Sequence, residues 1–240
     1  MTLAPGATIG ILGGGQLGRM LAHAAQRLGL SAHVFATAPD EPALAVTVCA
    51  TCAAFDDEAA LDAFARAVDV VTLEFENVPT TALARIAAAT PVRPGPGVLA
   101  VTQDRLAEKR LARELGLATA PFAAVTAAGE VEGEVPFPAR LKTRRLGYDG
   151  KGQQRVEAPG ALDAAVDALG RVPAILEGEV AFARELSMLI ARTPSGAVET
   201  FPLAENRHEG GILVETRAPA EVAPATARRA REIAVALAEA

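Results

Sequence analysis

Tryptophan is absent from the 240 residues and tyrosine occurs once, so Ala, Leu and Val must supply most of the buried apolar mass. Long apolar runs are also missing. No stretch reaches the roughly 18 consecutive apolar residues of a membrane-spanning helix, so no membrane partner is expected. The start, MTLAPGATIGIL, has no basic segment ahead of its apolar run and does not read as a signal peptide. Excess positive charge is lacking too: the formal net charge is −6, which argues against a nucleic-acid partner, because phosphate backbones need a concentrated basic face. Cysteine appears only at Cys49 and Cys52. That single C-x-x-C could be a redox pair, or half of a zinc site completed by His23, His33 or His208. The plainer reading is two small apolar residues in or beside a strand, and no metal ligand is assigned. Low cysteine content and the missing leader give a cytoplasmic expectation.

What is present is globular in composition: half the residues are hydrophobic and 22% are charged. The run Thr8 to Leu12, a glycine-rich turn, the helical pattern MLAHAAQRLGL and the strand-like SAHVFAT predict the opening unit of a parallel, doubly wound sheet. A helix is expected over 57–67, capped by Asp56 or Asp57, then a buried strand over 68–75 and a helix over 80–89. The punctuation RPGPG closes a small α/β domain near residue 95. A charged helix follows over 103–115. Val135, Phe137, Ala139 and Leu141 alternate towards Lys142, predicting a strand joined by the loop Arg144 to Gly152 to a second strand. Further expectations are a helix over 161–169, strands over 174–177 and 185–191, a polar loop after Pro202, and an amphipathic helix over 226–240. The text stops on that helix, which gives an expectation of truncation.

Four features could carry chemistry. Gly13-x-Gly15-x-x-Gly18 has the spacing that lets a backbone approach a phosphate at a helix N-terminus. The acidic partner of a dinucleotide site is poorly placed: strand two ends VFAT, and Asp40 arrives only after Pro39. A phosphate or substrate contact of another kind, a nicotinamide site and a turn used only for packing all stay open. Glu74 and Glu76, two apart at a strand end, would share a side in extended geometry and could hold a hydroxyl or amine, or simply be solvated. The loop TRRLGYDGKGQ joins Arg144, Arg145 and Lys151 to Gly147, Gly150 and Gly152, which suits a lid over a triphosphate, though a basic surface hairpin has the same composition. Lys142 could reach phosphate, and Glu177 or Glu185 could accept from ribose hydroxyls. His208 reads equally as a ligand contact or as incidental surface.

Taken in order, GILGGGQLGRML, TLEFENV, QDRLAEKRLARELGL, LKTRRLGYDGKGQ and ILEGEVAFARELSMLIAR resemble the blocks of the ATP-grasp superfamily, and within it the N5-carboxyaminoimidazole ribonucleotide synthases. The resemblance runs from residue 8 to residue 240 and implies an α/β and α+β architecture. That is an ATP-grasp fold with a Rossmann-like pre-ATP-grasp domain over 1–95, the start of the ATP-grasp core over 96–125, a lid over 126–180 and an incomplete core domain over 181–240. It implies ATP contacts at Arg105, Lys142, the loop Gly147, Tyr148, Asp149, Gly150, Lys151, Gly152 and Gln153, the hinge Glu177, Gly178, Glu179 and Val180, and at Glu185 and His208. Tyr148, Asp149 and Lys151 would act catalytically, Tyr148 and Asp149 near the imidazole substrate, with Gly15, Gln16, Leu17 and Glu74 on its binding surface. The implied reaction joins bicarbonate to 5-aminoimidazole ribonucleotide using ATP and Mg2+, with metal ligands expected in a further C-terminal segment, and relatives are often homodimers. A sister ATP-grasp carboxylate–amine ligase or formyltransferase shares the nucleotide half, and a non-enzymatic nucleotide-binding module is a third reading.

Overall fold

The apolar run Thr8–Leu12 forms β1, the strand from which the first half of the protein is built. The computed structural model describes residues 3–147 and 151–240 and divides into two units, Met1–Gln103 and Asp104–Ala240. In the first unit β1 is followed by α1 (Gln16–Arg27), β2 (Ser31–Ala36), β3 (Cys49–Cys52), α2 (Glu58–Arg66), β4 (Val70–Leu73), α3 (Thr80–Ala87) and α4 (Pro96–Thr102). The four strands are all parallel, in the order β3-β2-β1-β4. Side-chain alternation gives this sheet two buried faces. Leu12 and Phe35 pack with Leu61, Phe64, Leu83 and Ile86 on one side, while Ile11 and Val34 pack with Ala22 and Ala25 of α1 on the other. Asp57 caps α2 by accepting the Ala60 N–H at 3.0 Å. Both cysteines lie on β3 with free, exposed thiols, so they supply no core.

The second unit contains α5 (Arg105–Glu114), β5 (Phe122–Val125), β6 (Val131–Glu132), β7 (Ala139–Thr143), β8 (Gln153–Val156), α6 (Leu162–Ala168), β9 (Ala174–Gly178), β10 (Glu185–Ser187), β11 (Ile190–Arg192), β12 (Val198–Thr200), β13 (Ala204–Glu209), β14 (Ile212–Arg217) and α7 (Pro224–Glu239). Five strands form an antiparallel sheet in the order β6-β5-β9-β7-β8. Leu141 and Leu176 face Val166 of α6, whereas Ile175 packs with Phe122 and with Leu106 of α5. A second antiparallel sheet runs β10-β13-β14.

Three sequence expectations need correction. The polar stretch after Pro202 is not a loop: residues 204–209 and 212–217 pair as a hairpin turned by Gly210 and Gly211, both at positive φ. The strand expected over 185–191 divides into β10 and β11, which belong to different sheets. The alternation read from Val135 begins to form strand only at Ala139. Among the described residues no helix is long and apolar enough to cross a membrane.

Candidate functional sites at two glycine-rich segments

In the first unit, β1 and β4 are neighbours whose C-terminal ends lie side by side, where the sheet order reverses. In open α/β sheets that position opens a crevice for ligands. The glycine turn leaves β1 there. Gly13 has φ +108°, a left-handed conformation, and a Cβ on it would lie 2.2 Å from Glu74 Oε2. A Cβ on Gly15 would lie 2.5 Å from Glu74 Oε1, so the turn is wrapped around the Glu74 carboxylate. Among the described residues no hydrogen bond or ion pair reaches that carboxylate. β4 ends at Leu73, one residue before the acidic pair, so the extended geometry expected for Glu74 and Glu76 is not kept; Glu76 is exposed and offers its backbone carbonyl to Gln103. Gln16 is exposed, and Leu17 is 60% exposed on the first turn of α1.

A second carboxylate, which the sequence reading passed over, holds the turn in place. Glu41 Oε2 accepts the Gly14 N–H at 2.7 Å, and Oε1 accepts the N–H groups of Thr37 and Ala38 and the Thr37 hydroxyl. Burial pushes this carboxyl up, but the N–H donors of Ala38 and Thr37, the Thr37 hydroxyl and the Gly14 N–H outweigh it and hold the group below its ordinary range. Asp40 has no part in this. The residue that matters is the next acid along, 27 positions after the amide it binds. A turn amide engaged by the chain's own carboxylate is withdrawn from phosphate binding.

In the second unit the charges are reversed. Leu141 faces α6, so Lys142 faces α5, and by the same alternation along β9 so does Glu177. Lys142 sits opposite Ile175, and its ammonium donates to Oε2 of Glu177, the diagonal neighbour, at 3.0 Å. Lys109 of α5 lies 3.6 Å from the same oxygen. Glu177 is 8% exposed. One turn before Lys109, Arg105 donates to the Thr143 carbonyl at 2.8 Å and to the Gly147 carbonyl, fixing the root of the loop that leaves β7. Asp104, buried at the N-terminus of α5, accepts from the Leu106 N–H and from the Arg144 guanidinium. Burial raises the Asp104 carboxyl, but Arg144 and the helix N–H groups prevail and leave it below its ordinary range. Asp104, Thr143, Arg144, Arg145, Gly147 and Gly152 line a cavity of about 620 Å³ at this root.

Lys151 is exposed, and Gln153 on β8 pairs with Lys142 across the strands. Tyr148, Asp149 and Gly150 lie outside the described residues. Beyond Glu177, Gly178 donates its N–H to Pro121, the Glu179 carboxylate pairs with Arg155 and Arg140, and Val180 is 54% exposed. Glu185 on β10 is opposite Asn206, and two residues further along β13 the His208 Nδ1 lies 2.9 Å from Glu185 Oε2. These two line a cavity of about 370 Å³ with Phe182, Arg184 and Arg207, a size suited to a small ligand. The expected nucleotide residues thus gather as three local groups: Arg105 with Gly147, Lys142 with Glu177, and Glu185 with His208. No ion pair joins the last two groups among the described residues.

Comparison with known proteins gives this pattern a family. The family model described as the ribonucleotide synthetase preATP-grasp domain matches residues 6–103, and that of the ATP-grasp domain matches residues 110–240. The chain belongs to the ATP-grasp family. It is similar to the N5-carboxyaminoimidazole ribonucleotide synthase of Brucella melitensis, at 45% identity over 97% of this chain and 66% of that protein. Among solved structures it resembles the Staphylococcus aureus N5-carboxyaminoimidazole synthetase complexed with ADP, with a TM-score of 0.90, 31% identity, and coverage of 99% of this chain and 64% of that one. The Aspergillus clavatus synthase in complex with ADP and 5-aminoimidazole ribonucleotide gives 0.87, 28%, 98% and 63%. This ATP-grasp chain therefore spans just under two thirds of the length of the relatives it matches. Among its described residues no group of three or more His, Cys, Asp or Glu side chains could hold a metal ion.

Proposed function

We propose that this chain is the nucleotide- and substrate-handling part of an enzyme that carboxylates 5-aminoimidazole ribonucleotide, using ATP and bicarbonate, to N5-carboxyaminoimidazole ribonucleotide, ADP and phosphate in purine biosynthesis. The observation that carries it is the contrast in charge between the two glycine-rich segments. Cations from α5 and β7 flank the root of the second, while two carboxylates flank the first. In this reading residues 126–180 form a lid. Lys142, Arg105 and the loop Gly147–Gln153 face the phosphates, Glu177–Val180 receives the adenine, and Glu185 with His208 meets the ribose. Bicarbonate oxygen attacks the γ-phosphorus, breaking the bond to the ADP oxygen and giving carboxyphosphate. Carboxyphosphate breaks down to CO2 and phosphate, and the exocyclic amine of the imidazole bonds to the CO2 carbon and gives up a proton. The protein's part is electrostatic: fixed cations stabilise charge spreading over the transferring phosphoryl group, and a closed loop keeps water from the intermediate. Tyr148 and Asp149 are assigned beside the reacting amine, and Lys151 is assigned a catalytic part within the phosphate loop. Mg2+ would neutralise phosphate charge when bound, and no residue described above is assigned to hold it.

The first unit supplies the surface for the imidazole ribonucleotide through Gly15, Gln16, Leu17 and Glu74. A carboxylate with no donor among the described residues suits the hydroxyl or amine donors of such a ligand better than its phosphate. The test is ADP release from Mg·ATP and bicarbonate, with and without 5-aminoimidazole ribonucleotide, by this chain and by a family-length protein containing it. Release that depends on the ribonucleotide supports the proposal. Release indifferent to it, or driven by a different amine or by formate, overturns it in favour of a sister ligase.

A further inference from the structure

Lys109 is not among the residues that the sequence singles out, and the fold places it on a buried carboxylate of the nucleotide side. Its ammonium and that of Lys142 both lie against Oε2 of Glu177, at 3.6 and 3.0 Å. Each lysine side chain is 27% exposed and that of Glu177 10%. Two cations share one anion, so one positive charge is left over in a largely desolvated place. If Lys142 alone paired with Glu177, it could not leave to meet a phosphate without stranding a buried carboxylate, which is strongly unfavourable.

We propose that Lys109 is a positioning residue of the nucleotide site, the reserve counter-ion that compensates Glu177 when Lys142 turns to a nucleotide phosphate. The proposal rests on the nucleotide reading given above and adds a residue to it. The two lysines are suited to different parts. Lys109 stands on α5, anchored by Leu106 in the cluster with Phe122 and Ile175, whereas Lys142 is the penultimate residue of the strand that feeds the glycine loop. Arg105 and Lys109, four residues apart, share one face of α5. That face therefore holds both the root of the loop, through Arg105, and Glu177, through Lys109.

The experiment measures equilibrium binding of ATP and of adenosine to this chain, to Lys109→Met and to Lys109→Arg, with thermal melting as a control for folding. A counter-ion role makes Lys109→Met weaken ATP by about tenfold or more while adenosine stays within about twofold, since only the phosphates need Lys142 released. Lys109→Arg keeps the charge and returns ATP binding to within about threefold of the parent. Unchanged ATP affinity in Lys109→Met, or equal loss for ATP and adenosine, overturns the proposal while leaving the nucleotide reading standing. Failure of the unmodified chain to bind ATP overturns that reading, and the proposal with it.

Discussion

The two glycine-rich segments of this protein look alike as text and differ in what surrounds them. The turn at 13–18 is enclosed by Glu74, which has no donor among the described residues, and by Glu41, which accepts its Gly14 N–H. The loop at 144–152 is rooted by Arg105 on the carbonyls of Thr143, just before it, and of Gly147, and is flanked by Lys142 and Lys109. Glycine gives both segments close approach, but flanking charge decides what approaches. The first has its anion-binding amide taken by the chain itself, and the second keeps a surplus of cations.

The comparison can be broken most severely at Gly13. Gly13→Val places a branched side chain at φ +108° against Glu74 and Phe75, and should cost about 3 kcal/mol or more, read as a large fall in melting temperature. Gly160→Ala, with nothing within 4 Å, should stay within about 0.5 kcal/mol. Next in size is Asp104→Ala, which removes a helix cap and the partner of Arg144 together. A loss of about 2 kcal/mol is expected in chemical denaturation. Glu41→Gln follows at about 1 kcal/mol, because both carboxylate oxygens accept N–H donors and an amide must turn its NH2 towards one of them.

Acid sharpens the same two sites. Glu41 and Asp104 sit below their ordinary values of 4.5 and 3.8 in the folded chain, so their contribution is complete above those values and is lost as pH falls through the lowered ones. Glu41→Gln and Asp104→Asn should each flatten the acid limb of a stability–pH profile. The smallest expected change is Glu74→Gln. With no donor to lose among the described residues, it should leave stability within about 0.5 kcal/mol while weakening binding of 5-aminoimidazole ribonucleotide. A large loss of stability there would mean that Glu74 holds the turn as Glu41 does.

Much of the fold was legible because periodicity is a local signal. The opening strand, turn, helix and strand fall where expected, as does the Asp57 cap. The hairpin of β13 and β14 was missed because its residues are mostly polar: β14 is exposed throughout, so no apolar alternation marks it. The Gly210–Gly211 pair was the available signal, a turn flanked by residues able to pair. Among the candidate site residues, Lys142, Glu185 and His208 stood out by their places in recognisable segments. Glu41 and Lys109 did not, because each acts on a group far along the chain, and the pairing of Lys109 with Glu177 exists only once α5 packs on β9. A sequence shows which residue could bear charge; the sheet decides which charges meet.

Nucleotide is assigned to the cationic segment and not to the acidic one. Photolabelling with 8-azido-ATP, followed by peptide mapping, tests it directly. The label is expected in peptides from residues 141–217, and excess ATP should remove it. ATP-protected label in peptides covering residues 8–27 would instead put the nucleotide at the acidic turn and overturn that assignment.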